Sequence, residues 1–121
     1  MKPCPELHEL EWFFGVAVDA VNGYEGGWYY DCLRFVHQAG SGRTRCELEP
    51  AEGTFSVLHS VDGHVVLDIS LQFVKSLSIE SSGQDDVLIG RVAENGVEQV
   101  FKLSLYPTVC FRLGTALPAV N

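Results

Sequence analysis

The stretch that most constrains the fold is Thr54 to Val74, TFSVLHSVDGHVVLDISLQFV. Two alternating apolar runs flank an Asp62-Gly63 turn signal, and Val65, Leu67, Ile69, Leu71 and Phe73 fall on one face. That period of two belongs to a half-buried strand, so the stretch reads as a β-hairpin. Its register can be argued. A two-residue loop places Val57 opposite Asp68 and Phe55 opposite Ser70, whereas a three-residue loop, Val61 to Gly63, places Val57 opposite Leu67 and Phe55 opposite Ile69. A one-residue slip turns an apolar set to the wrong face, so the three-residue loop with a left-handed, bulged glycine is expected. The same test applies to the hairpin over 87–105, around Glu94-Asn95-Gly96. It pairs Ile89 with Phe101 and Val87 with Leu103.

The remaining chain is read by the same periodicities. From Leu10 to Val21, the residues Leu10, Trp12, Phe14, Val16, Val18 and Ala20 alternate, which predicts a long first strand. Asn22 to Trp28 is a glycine-rich loop. In Asp31 to Ala39, Cys32, Phe35, Val36 and Ala39 fall at i, i+3, i+4 and i+7, which predicts a short amphipathic helix with Asp31 at its start and Gly40 at its end. Arg43 to Glu49 alternates as a strand. Leu77 and Ile79 mark a short strand, Ser81 to Asp86 an exposed loop, and Val109, Phe111 and Leu113 a last strand before a loosely held tail over 114–121. The sum is an α+β fold: an antiparallel sheet of about six or seven strands, partly curved, with one short helix packed on one face, in a single domain over residues 1–121. A partly closed barrel is the alternative.

Charge narrows the function. The 121 residues carry 16 acidic and 8 basic side chains, a net charge of −8. A surface of that sign repels nucleic acid and anionic membrane but steers a basic protein into encounter. The opening MKPCPELHELEW lacks the apolar core of a signal peptide, and no apolar run approaches the ~18 residues of a membrane span. The expectation is a soluble, cytoplasmic protein with reduced cysteines.

Chemical motifs are sparse. Cys4, Cys32, Cys46 and Cys110 are scattered among His8, His37, His59 and His64 without the tight pairs of a zinc site, so neither a metal nor a cofactor is expected. Cys32, near the start of the expected helix, could serve as a thiolate with a histidine, but it also falls on the apolar stripe, where cysteines are structural. The loop GYEGGWYYD precedes that helix yet lacks both GxGxxG spacing and a Walker lysine. Its Trp28 is read as sealing the helix onto the sheet, and Tyr24 as a candidate contact residue, since tyrosine is enriched at interfaces. The acidic clusters Glu47/Glu49/Glu52, Asp85/Asp86 and Glu94/Glu98 lie at turns and on exposed strand faces.

One further pattern bears on function. A strand and a glycine- and aromatic-containing loop lead to D-x-L-x-x-F, represented here by Asp31, Leu33 and Phe35 with one residue fewer between the last two. L-E-P-x-E-G-x-F follows (Leu48, Glu49, Pro50, Glu52, Gly53, Phe55), then D-G-H-V (Asp62 to Val65). From about Phe14 to Phe73 this resembles the WapI-like immunity proteins and related families of polymorphic toxin loci. The resemblance implies a non-enzymatic α+β protein that binds and neutralises a cognate bacterial toxin, with no catalytic residue to carry over. The charge adds a basic face on that partner. The candidate contact residues are Tyr24, Glu25, Glu47, Glu49, Asp85, Asp86, Glu94 and Glu98. A small enzyme using Cys32 and a β-rich oligomerisation module are the alternatives.

Overall fold

The computed structural model describes residues 1–82 and 85–115. Among them are α1 (Leu7–Phe14), β1 (Asp19–Ala20), β2 (Leu33–Ala39), β3 (Gly42–Glu49), β4 (Thr54–Val61), β5 (His64–Leu71), β6 (Val74–Ser82), β7 (Asp85–Glu94), β8 (Val97–Ser104) and β9 (Cys110–Thr115). Strands β1 to β5 form one antiparallel sheet in sequence order, and β6 to β9 form a second. A mostly antiparallel protein with one short helix is therefore correct. The strand count is nine among the described residues, not six or seven.

The layer that covers the first sheet is the second sheet. Phe55 of β4 stacks on Phe101 of β8 with ring centroids 4.8 Å apart. The buried cluster joins Leu33, Phe35, Leu48 and Val57 of one sheet to Leu77, Leu88 and Leu103 of the other. Each alternating strand hides one face, and the two sheets bury each other's apolar sides together with the buried face of α1.

The helix is also placed differently. Residues 31–39 do not form it: Leu33, Phe35 and His37 alternate inward on β2, paired with Leu48, Cys46 and Thr44 of β3. The long strand expected over Leu10 to Val21 is instead α1 followed by the two-residue β1. Leu10, Phe13 and Phe14, at i, i+3 and i+4, are the buried face of α1, and Trp12 stands 64% exposed. The Glu6 N–H donates to the Glu9 carboxylate (3.0 Å) at the start of the helix. Gly15, left-handed at φ 71°, ends it by donating to the Glu11 carbonyl. Short apolar runs fit both templates, and the deciding contact is tertiary: Phe14 stacks on Phe35 at 4.5 Å.

Both hairpins turn through two residues, not three. Asp62 and Gly63 have φ of 52° and 78°, as do Asn95 and Gly96. These left-handed pairs suit the tight turn whose twist matches the strands. In the first hairpin Phe55 pairs with Leu71 and Val57 with Ile69, because the ladder slips by one residue beside His59 and Ser60. That bulge, not a longer loop, keeps both apolar sets facing inward. Val65 lies on the far side of it and is exposed, and Phe73 is exposed beyond the end of β5. In the second hairpin Leu88 pairs with Leu103, Gly90 with Phe101 and Ile89 with Lys102. The inner face of β7 is thus Leu88, Gly90 and Val92, while Val87 and Ile89 face outward.

Sheet edges are treated unequally. The Lys2 N–H donates to the Lys75 carbonyl and the Leu77 N–H to the Pro3 carbonyl, both at 2.9 Å, so the N-terminal segment covers the outer edge of β6. Strand β5 is the uncovered edge of the first sheet among the described residues, with Val65 and Val66 exposed on it. β6 and β7 run up to Ser82 and from Asp85, and the Ser81 hydroxyl donates to the Asp86 carboxylate at 2.8 Å. The centre of the loop expected there lies outside the described residues. So does the expected tail, apart from Gly114 and Thr115, which belong to β9.

Candidate partner-binding surface

The glycine-rich loop is built around one buried carboxylate. Asp31 Oδ1 accepts from the backbone N–H of Asn22 (2.9 Å) and Cys32 (2.7 Å), and Oδ2 accepts from Tyr24 (2.9 Å). Burial is the largest single influence on this carboxyl and would raise its pKa. The three backbone donors, together with the Asn22 side chain, outweigh it and hold the pKa below the ordinary value of 3.8. The loop therefore already encloses an anion, which is the wrong preparation for a phosphate. The sequence pattern puts Asp31 at the start of a helix that does not form there. Its role is to fold the loop back on itself so that Tyr24, held left-handed at φ 65°, and Tyr30 project 45% and 72% exposed. Trp28 has no helix to seal and instead packs, partly buried, against the core. The Ala51 N–H donates to the Tyr29 carbonyl, which ties this loop to the turn after Glu49.

The acidic candidates fall in separate places. Glu47 sits on the outer face of the first sheet and accepts from Arg34 Nε at 3.0 Å, with Arg45 Nε at 3.5 Å. Arg34 also reaches Asp19 at 3.8 Å. Glu47 is thus bound within the chain, while Glu49, two residues on, shares its face at the end nearer the loop with Tyr24 and Glu25. Asp85 and Asp86 begin β7, and Glu94 ends it, roughly 30 Å away along an extended strand. Glu98 accepts from Arg91 at 2.8 Å in an exposed pair of the kind that contributes about 0–1 kcal/mol. The Gly53 N–H donates to the Glu49 carbonyl, the Val74 N–H to the Gly53 carbonyl and the Ala93 N–H to the Phe73 carbonyl, so Glu94 and Glu98 lie at the same end as Glu49 and the loop with Tyr24 and Glu25, while Asp85 and Asp86 lie at the other end of β7.

One aromatic side chain lies where strand alternation does not put it. Trp12, assigned inward on a strand, lines an open groove of about 420 Å³ with His8, Glu9, Ile79 and Ser81, between α1 and β6. The helical spacing of Leu10, Phe13 and Phe14 was the available signal.

The thiols carry no nucleophile signature. Cys32 S–H donates to the Glu47 carboxylate at 3.8 Å. Burial first, then the charges of Glu47 and Glu49, push its pKa up. By strand parity His37 points to the opposite side of β2. Burial alone pushes Cys46 up to about 12, and burial is the main reason Cys4 rises to about 11. A thiol reagent applied to native protein at pH 7.5 is expected to modify exposed Cys110 first and to reach Cys46 only after unfolding. Peptide mapping over time reads the order, and fast labelling at Cys32 would revive thiolate catalysis. Among the described residues no group of three or more His, Cys, Asp or Glu side chains is placed to hold a metal ion. No helix among them is long and apolar enough to cross a membrane.

The sequence matches no family model, and no curated protein is significantly similar to it. The fold does have a solved counterpart, a chain of a contact-dependent growth inhibition toxin–immunity protein complex from Klebsiella pneumoniae 342. The two superpose with a TM-score of 0.77 over 93% of this chain and 96% of that one, at 14% sequence identity. The likeness is one of fold and runs through both sheets.

Proposed function

We propose that this chain is an immunity protein that binds and neutralises a cognate bacterial toxin by occlusion, without chemistry of its own. The observation that carries the reading is the match in fold, over nearly the full length of both chains, to a component of a toxin–immunity complex. The motifs from Asp31 to Val65 resemble immunity families independently of that match. The acid surplus supports a basic face on the toxin, and three of the eight cationic side chains (Arg34, Arg45 and Arg91) are already neutralised by internal ion pairs.

Contact is proposed to centre on the end that carries Tyr24, Glu25 and Glu49. Glu47 supports that surface through its arginines, Glu94 and Glu98 flank it from the β7–β8 hairpin, and Asp85 and Asp86 contribute to the long-range field. The test is co-expression with the toxin domain encoded beside the chain's gene. Growth should be restored, the two proteins should co-purify, and the association rate should fall by roughly tenfold or more as salt rises from low to physiological. Absence of both rescue and complex would sink the reading, and a salt-independent rate would remove its electrostatic part.

A further inference from the structure

The groove between α1 and β6 takes no part in the partner surface above. Two elements build it. His8 and Trp12, four residues apart, are neighbours on one side of α1, and Ile79 and Ser81 share one face of β6. Glu9 completes the wall. Ile79 packs, partly buried, against the core and gives the groove an apolar floor. Trp12 leaves 64% of its surface in solvent. An indole that exposed adds little to the fold, and tryptophan is among the residues most enriched at binding hot spots.

The charge beside the indole is negative and uncompensated. Glu9 is exposed, and its Oε1 accepts from the Glu6 N–H at 3.0 Å, which caps the helix but leaves the carboxylate its charge. Asp86 lies across from Ser81 in the β6–β7 ladder, so its side chain shares the groove's face of the sheet, and the Ser81 hydroxyl donates to it at 2.8 Å. Among the described residues neither carboxylate forms an ion pair, and no lysine or arginine lines the groove. A cation is attracted to the face of an indole, and a carboxylate at its edge supplies the counter-charge. A guanidinium does both at once: it lies flat on the ring, presents N–H donors at its rim, and trails a methylene stem that covers apolar surface such as Ile79. Other occupants fit less well. A second copy of this chain sets −8 against −8, and phosphate or an anionic membrane meets the same repulsion. An aliphatic side chain would use the indole and Ile79 but desolvate carboxylates without a partner. The groove lies at the Asp85 and Asp86 end of β7, away from Glu94 and the loop with Tyr24. Asp86 and Glu94 are roughly 25 Å apart along that strand, within the ~30 Å width of an ordinary interface patch, so one partner reaches both.

We propose that this groove seats an arginine side chain of the protein partner, stacked on Trp12 and paired with Glu9, as a second contact beyond the end with Tyr24; this rests on the immunity reading. The experiment titrates the co-encoded toxin domain into the full chain and into Trp12→Ala, Trp12→Leu and Glu9→Gln by calorimetry, with circular dichroism to confirm that each variant folds. Glutamine at position 9 keeps an acceptor for the Glu6 N–H and removes only the charge. Trp12→Leu keeps apolar surface and removes only the aromatic face. Both Trp12 variants are expected to weaken Kd by roughly tenfold to a hundredfold, and Glu9→Gln by about threefold to tenfold. The double variant Trp12→Ala with Glu9→Gln should lose less than the product of the two single losses, because both side chains hold one guanidinium. If Trp12→Leu binds as tightly as the wild type, the occupant is aliphatic. If Trp12→Ala does so, the groove lies outside the interface. Either result overturns the inference while the immunity reading stands. If no wild-type complex forms, the immunity reading falls and this inference falls with it.

Discussion

Replacing Gly90 with alanine is expected to destabilise the protein by about 3 kcal/mol, at the upper end of ordinary overpacking, and replacing it with valine by more. Gly90 faces inward on β7 directly opposite Phe101. A Cβ at this position would lie 2.0 Å and 2.2 Å from two atoms of the Phe101 ring. The ring cannot simply yield, because it is stacked between Phe55 at 4.8 Å and Phe111 at 5.8 Å. These aromatic rings bridge the two sheets, so the strain falls on the packing between layers. Urea unfolding measures the cost. A double-mutant cycle with Phe101→Leu supplies the control, since the smaller side chain should recover part of the loss and the two changes should be non-additive. A Gly90→Ala variant as stable as the parent would mean that Phe101 does not occupy the space above this strand.

The second large effect distinguishes a helix from a strand at the start of the chain. Phe14→Ala is expected to cost about 3–5 kcal/mol, the usual range for a buried phenylalanine, out of a total stability on the order of 5–15 kcal/mol. Phe14 is fully buried, stacks on Phe35 at 4.5 Å and meets Phe13 edge-on at 5.0 Å. Trp12→Ala, two residues earlier, is expected to stay within about 0.5 kcal/mol of the parent, because the indole is largely exposed. On a strand these two side chains would share a face and cost similar amounts. On α1 they lie on nearly opposite sides. Equal losses by chemical denaturation would restore the strand.

That pair also shows why the sequence misled where it did. Leu10 to Val21 contains both an alternating set and an i, i+3, i+4 set, because Phe13 and Phe14 are adjacent. Residues 31–39 carry the same ambiguity through Phe35 and Val36. Two local signals favoured the correct answer: glutamates three apart at Glu6 and Glu9, and Gly15 directly after the apolar face. At 31–39 nothing local decides, and the neighbour in space does, since β2 is held by β3 along its whole length. The candidate surface was legible only as composition. Acidic residues could be listed, but Glu47 being occupied by two arginines, and Glu94 lying a strand's length from Asp85, depend on pairing and register. The burial of His37 on β2 is hidden for the same reason: its direction follows from whether its segment is helix or strand.

What the sequence determined by itself was local. Asp62-Gly63 and Asn95-Gly96 specify tight turns because those residues tolerate left-handed φ. The alternation around them specifies strands, and the acid surplus specifies the sign of the field. The tertiary structure decided which layer covers which. Two sheets with one apolar face each can close on a helix or on one another, and strand periodicity is the same in both cases. Only the fit of Phe55, Phe101 and Phe111 across the interface, with Gly90 leaving room for the central ring, selects the sandwich. The bulge beside His59 is of the same kind: a one-residue slip costs little locally and is fixed by the need to turn Ile69 and Leu71 toward the opposite sheet.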